Sequence, residues 1–121
     1  MASDKKRVVI IEDDPHIAEA EKLILEQEFE VFLAKDGSEG LKVVEELNPD
    51  VVVLDVMMPK LSGFEVCKLL RDSGFKNKIV MVTAKNEPRN EKFGMDLGAD
   101  DYIMKPFEPE ELLHVMHQVL G

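Results

Sequence analysis

The stretch Val51-Val52-Val53-Leu54-Asp55-Val56-Met57-Met58-Pro59 decides how this chain is read. Its four leading aliphatic residues do not alternate with polar ones, so they read as a strand buried on both faces, the kind found in a covered parallel sheet. Its end delivers one carboxylate, Asp55. The pattern recurs: Val8-Val9-Ile10-Ile11 runs into Glu12-Asp13-Asp14, Ile79-Val80-Met81-Val82 into Thr83, and Tyr102-Ile103-Met104 into Lys105. If these strands lie parallel, their C-terminal ends share a rim where acids, a hydroxyl and an ammonium converge.

Working outward, strand-like runs at about 7–12, 30–34, 50–55, 78–83 and 101–104 alternate with helical periodicity at about 15–28, 38–47, 63–72, 87–97 and 109–120. Five such repeats predict an α/β fold: a doubly wound, flavodoxin-like, five-stranded parallel sheet of order 2-1-3-4-5 with helices on both faces. That order sets strands one and three side by side at the switch point, making Asp13 and Asp55 neighbours. Pro15 suits a first helical turn, Asp36-Gly37 reads as a turn, Asn48-Pro49-Asp50 stops helix two, and Gly98 caps helix four. Glu108-Pro109-Glu110-Glu111 places acids at the positive end of helix five. Gly94 should weaken helix four by ~1 kcal/mol relative to Ala and mark it as mobile. Glu19, Glu21, Lys22 and Glu26 are expected on solvated faces.

With 121 residues the chain fits a single domain, 1–121, and no linker or repeat divides it. No apolar run approaches the ~18 residues of a membrane span, and the opening aliphatic run is too short for a secretory signal, so a soluble, cytoplasmic protein is expected. Fifteen Lys and Arg against 25 Asp and Glu give a net charge of −10, from which no direct nucleic-acid binding is expected. The lone Cys67, among Phe64, Val66, Leu69 and Leu70, reads as a packed thiol. His114 and His117 lie three apart on the last helix, but no further Cys or His completes a metal site, so both are expected to face solvent.

Two or three carboxylates from Glu12-Asp13-Asp14 and Asp55 would leave a negative cluster that a hard cation, Mg²⁺ or Mn²⁺, can neutralise through oxygen ligands. At this point the residues resemble the receiver domains of two-component response regulators. The resemblance rests on Val9 to Pro15, Pro49 to Pro59 followed by Gly63-Phe64-Glu65, Val82-Thr83-Ala84-Lys85, and Gly98 to Phe107, in order along nearly the whole chain. It implies a phosphorylation-activated switch that is not a conventional enzyme: Asp55 takes a phosphoryl group from a histidine kinase or histidine phosphotransfer protein. Asp13 would bind Mg²⁺ directly, Glu12 through water, and the Met57 carbonyl would add an oxygen, leaving Asp14 at the head of helix one. Thr83 would hydrogen-bond the phosphoryl group, Lys105 would pair with it, and Tyr102 would follow Thr83 to reshape the face of helix four, strand five and helix five. Lys105-Pro106 is expected to be cis.

The resemblance places docking of the phosphodonor on the face of helix one carrying Asp14, Pro15, Ala18 and Lys22, together with Pro106 and Phe107. Read as it stands, the chain carries no output domain, so control would pass to a downstream protein target or an attached output domain. Three other readings compete less well. A module signalling without phosphorylation would not need the intact Glu12, Asp13, Asp55, Thr83 and Lys105. A dehalogenase-type phosphohydrolase places a second Asp where Met57 stands, and flavin binding lacks a phosphate loop after strand one.

Overall fold

The computed structural model describes residues 4–84, 87 and 91–121. Five strands alternate with five helices: β1 (Arg7–Ile11), α1 (Pro15–Leu25), β2 (Glu30–Ala34), α2 (Gly37–Leu47), β3 (Val51–Asp55), α3 (Gly63–Asp72), β4 (Lys78–Ala84), α4 (Glu91–Asp96), β5 (Asp101–Lys105) and α5 (Pro109–Leu120). The sheet is parallel throughout, in the expected order 2-1-3-4-5. Lys85 and residues 88–90 of the predicted fourth helix lie outside the described residues.

The apolar runs work because successive strand side chains point to opposite faces and both faces are covered. Val9, Ile11, Val52, Leu54, Ile79 and Met81 pack with Val44 of α2 and Phe64, Val66 and Leu70 of α3. Val8, Ile10, Val51, Val53, Val80 and Val82 pack on the other face with Leu25 of α1 and Leu112 and Met116 of α5. Burying each such side chain contributes on the order of 1.5–3 kcal/mol. Cys67 is fully buried in the first of these cores, donates weakly to the Leu97 carbonyl, and burial pushes its thiol up to about 11, as suits an inert packed group.

Local chemistry sets most boundaries. Asp14 caps α1 by accepting from the His16 and Ile17 N–H groups, and Pro15 follows inside the first turn. Asp36 begins α2 in the same manner, accepting from Glu39 N–H, so Asp36-Gly37 opens a helix rather than forming a turn. Asn48 closes α2 in the left-handed region at φ 44°, and Gly98 follows α4 at φ 114°. α1 ends at Leu25, short of the expected residue 28, because Phe29 turns into the core to begin the approach to β2.

Two readings of α1 are corrected. Glu21, expected on a solvated face, is 3% exposed, and Ala18, expected to meet a partner, is 5% exposed. Ala18, Glu21 and Leu25 are its buried residues, spaced as one inward-facing stripe, so Ala18 cannot be a docking contact. Lys22 is half-buried.

Candidate active site

Parallel pairing of β1 with β3 sets Ile11 beside Leu54, so the residues that follow, Glu12 and Asp55, emerge together at the C-terminal rim. Carboxylate oxygens of Glu12, Asp13 and Asp55 lie within 4.8 Å of one another, the Asp13 residue exposed and the other two buried. β5 brings Lys105 to the same rim through the pairing of Ala84 with Lys105. Its Nζ donates to Glu12 Oε1 and to Asp55 Oδ1, each at 3.2 Å. The Lys105–Pro106 peptide is cis, as expected.

Burial dominates the electrostatics. It lifts the Glu12 carboxyl to about 7, against the pull of the Asp14 N–H bond and of Lys105, while the Asp55 charge adds to the lift. Asp55 is also raised by burial, with Lys105 opposing. Burial pulls the Lys105 ammonium down, but attraction to Asp55 and Glu12 outweighs it and leaves the group above its ordinary value. Hard oxygen donors at this mutual spacing suit Mg²⁺ or Mn²⁺.

The surrounding cavity, about 220 Å³, is lined by Glu12, Asp13, Asp14, Ile17, Asp55, Met57, Ala84 and Lys105. Met57 is 53% exposed at its edge. Asp14 serves the helix cap, and its own N–H donates to Glu12 Oε2 at 3.1 Å. Sequence reasoning gave no role to Gly63, whose backbone lies against β3: a Cβ there would come within 2.3 Å of the Asp55 carbonyl oxygen and 2.7 Å of Val56 Cα. Any side chain would force apart the loop that follows Asp55.

Thr83 is not gathered into this cavity. It is 9% exposed, its hydroxyl makes a long 3.5 Å contact to the Ala84 carbonyl, and it lines a second cavity of about 200 Å³ under α4 together with Tyr102. The two residues that the resemblance couples therefore share a chamber. Tyr102 is hydrogen-bonded to Glu91, and burial followed by the Glu91 charge raises its phenol above the ordinary value. Gly94 closes the same chamber, where a Cβ would meet Met81 Sδ at 2.8 Å. An alanine there displaces Met81, so its effect on α4 is not the simple stiffening that helix propensity predicts.

A groove of about 570 Å³ runs between α1 and the loop after β5, lined by His16, Ile17, Ala20, Glu21 and Ile24 on one side and Lys105, Pro106, Phe107 and Pro109 on the other. Pro106 is exposed and Phe107 half-buried. His114 and His117 are both exposed, as expected, but His117 Nε2 also lies 2.8 Å from Glu28 Oε1, a tertiary contact that spacing on the helix does not reveal.

Residues 8–117 match the response regulator receiver domain family. The chain is a response regulator receiver domain. It is 44% identical over 115 residues to the DNA-binding response regulator MtrA of Mycolicibacterium smegmatis, covering 93% of this chain and 50% of that protein. It is equally 44% identical over 108 residues to the alkaline phosphatase synthesis transcriptional regulatory protein PhoP of Bacillus subtilis, covering 88% of this chain and 45% of that one. Among solved structures, the Vibrio cholerae chemotaxis protein CheY4 superimposes with a TM-score of 0.88 at 33% identity, covering 96% of this chain and 99% of that one. The Francisella response regulator 1452 receiver domain gives 0.89 at 32%, with 96% and 97% covered.

The receiver domain is a signalling protein of two-component systems, and its role is that of a phosphorylation switch. The chain spans about half the length of the curated relatives it matches. One expectation is overturned by them: the absence of direct nucleic-acid binding. Relatives are named DNA-binding, and a net charge of −10 describes only the 121 residues that carry it, not a longer protein of which such residues form half. Among the described residues, no helix is long and apolar enough to cross a membrane.

Proposed function

We propose that Asp55 is the phosphoryl acceptor of this switch, with a histidine kinase or histidine phosphotransfer protein as donor. A carboxylate oxygen of Asp55 attacks phosphorus in line and forms an acyl phosphate. The donor's P–N bond breaks, and its electron pair leaves with the imidazole nitrogen. The observation that carries this reading is the convergence of Lys105 Nζ, at 3.2 Å, on Asp55 beside the Glu12–Asp13 pair.

Glu12, Asp13 and Asp55, with the Met57 carbonyl, would hold Mg²⁺, and Mn²⁺ suits the same oxygens. Bound there, the metal supplies positive charge that screens the phosphoryl oxygens. Lys105 supplies a second, compact positive charge, and the site as a whole positions and stabilises rather than performing covalent steps of its own beyond forming the Asp55 acyl phosphate. Thr83 offers a hydroxyl donor from the neighbouring strand end. As it turns from the chamber under α4 toward the phosphoryl group, it leaves room for the Tyr102 ring, which changes the face of α4, β5 and α5 read by a downstream target or an attached output domain. The domain catalyses its own phosphorylation from small acyl phosphates and its own slow dephosphorylation, and acts in the cytoplasm.

Donor docking falls on the groove between α1 and the loop carrying Pro106 and Phe107, with Ala20 in place of Ala18 as the contact on α1; Lys22, two positions on, does not line this groove. Incubation with acetyl phosphate and Mg²⁺ followed by mass spectrometry should show one hydroxylamine-labile phosphoryl group, absent from Asp55→Asn. Retention of the same label by that variant would rule out Asp55. Ala20→Arg should impair transfer from the cognate kinase while sparing acetyl phosphate labelling, and equal loss with both donors would point to a damaged site instead.

A further inference from the structure

One buried acid plays no part in the site just described. Glu21 is 3% exposed in the middle of α1, and its Oε2 is the one buried side-chain polar atom without a hydrogen-bond partner among the described residues. Enclosing such an atom is unfavourable unless something gives it a partner in another state. The question is which group can reach it.

Lys105 is the candidate donor. An ammonium has three N–H donors, and the two bonds to Glu12 and Asp55 leave one unused. Ile17 and Lys105 are common to the acidic cavity and to the groove behind it, so the lysine stands in the wall between them. Glu21 lies on the groove side, four residues after Ile17 and therefore on the same face of α1, one turn along. The electrostatics agree: burial raises the Glu21 carboxyl to about 8, the charges of Glu12 and Asp55 push it the same way, and Lys105 opposes them.

We infer that Glu21 is a positioning residue for Lys105, a second acceptor that receives the ammonium whenever Glu12 and Asp55 release it. Release is built into the arrangement. Glu12 Oε1 and Asp55 Oδ1, the atoms Lys105 uses, belong to the carboxylates grouped as a cation site, and an incoming cation both competes for them and repels the ammonium. A lysine on a flexible four-carbon stem can then turn across the wall to Glu21, whose carboxyl offers an acceptor oxygen in either protonation state. That the lysine afterwards returns to a phosphoryl group rests on the function proposed above. The swing itself does not.

The test uses metal-free protein, so its failure is separable from failure of the phosphorylation reading. In the parent, Glu21→Leu removes a partnerless buried carboxyl and should raise Tm by about 4 °C. In a Glu12→Gln/Asp55→Asn background, where Lys105 has lost both charged acceptors, the same change should lower Tm by a similar amount. Glu21→Gln, which keeps an acceptor, should recover at least half of that loss. A rise of Tm with Glu21→Leu in both backgrounds overturns the inference. A second measurement does not depend on comparative stability: in Glu12→Gln/Asp55→Asn, the ¹³C shift of the Glu21 carboxyl should move when Lys105→Met is added, and a resonance that stays in place overturns it as well.

Discussion

β3 carries an aspartate just before its start and another at its end, and the two are treated in opposite ways. Asp50 Oδ2 accepts the Arg7 N–H at 2.8 Å, and at the same end of the sheet Asp100 Oδ2 accepts both the Ile79 N–H at 2.9 Å and Arg71 at 3.0 Å. Arg71 goes on to bond the carbonyls of Phe75, Asn77 and Gly98. Those acids stitch loops to strands. At the other end, Asp55 and Glu12 share one lysine, are lifted by burial, and crowd a third carboxylate. Asp50 and Asp100 are satisfied by backbone donors, whereas Asp55, the acceptor proposed above, is held by the Lys105 ammonium.

The largest break in that contrast from a single substitution should come at the stitched end. Asp100→Ala strands the Arg71 guanidinium and the Ile79 N–H together, at a cost of about 2–3 kcal/mol, read as a fall in Tm of about 10 °C. The comparison sharpens with pH, where the buried acids Glu21 and Glu12 should show the opposite tendency to ordinary stabilising carboxylates. The Glu21 carboxyl is raised from 4.5 to about 8, so the unfolded chain gives up this proton first, and the stability it contributes below 4.5 is lost as pH rises through 8. Glu12, raised to about 7, acts in the same sense. Chemical denaturation of metal-free protein should therefore show stability falling by about 2–4 kcal/mol between about pH 5 and about pH 8.5, and Glu21→Leu should flatten that fall.

Next in size, Asp55→Asn should raise the stability of the metal-free protein by about 1 kcal/mol while abolishing labelling, since it relieves a buried charge without changing volume. A loss of stability would place Asp55 with the stitched acids. The smallest effect concerns Met57, exposed at the edge of the acidic cavity without a strong donor or acceptor to orient water. Met57→Asn should speed decay of the phosphorylated form, by less than about tenfold, or about 1.4 kcal/mol in barrier, in a chase with donor removed. Lys85, which sequence spacing pairs with Met57 around the approaching water, lies outside the described residues.

Much of this was legible in the chain, and for a physical reason. Strands buried on both faces write themselves as unbroken aliphatic runs, so the first polar residue after each run marks the strand end, and Glu12, Asp55 and Thr83 follow from that; Lys105 ends the partly exposed β5 and is placed by its pairing with β4. What escaped is what depends on a side chain's direction or on a distant partner. Thr83 sits at the expected strand end yet lines the chamber under α4, and His117 meets Glu28 across 89 positions of sequence. Glu21 is the instructive miss. Its place between Ala18 and Leu25 falls on the inward stripe of α1, whereas its chemistry argued for solvent, and position prevailed over residue type.

All five residues of β3 are buried, four of them hydrocarbon and the fifth Asp55. No site along this strand can drift: a polar replacement at Val51 through Leu54 lacks water and lacks a partner, and a smaller apolar one leaves a void. A library of single substitutions should accordingly find β3 among the least permissive segments of the chain, with only aliphatic exchanges surviving at its first four positions. In evolutionary terms, the strand has one address at which chemistry can be written, and its neighbours keep it from moving.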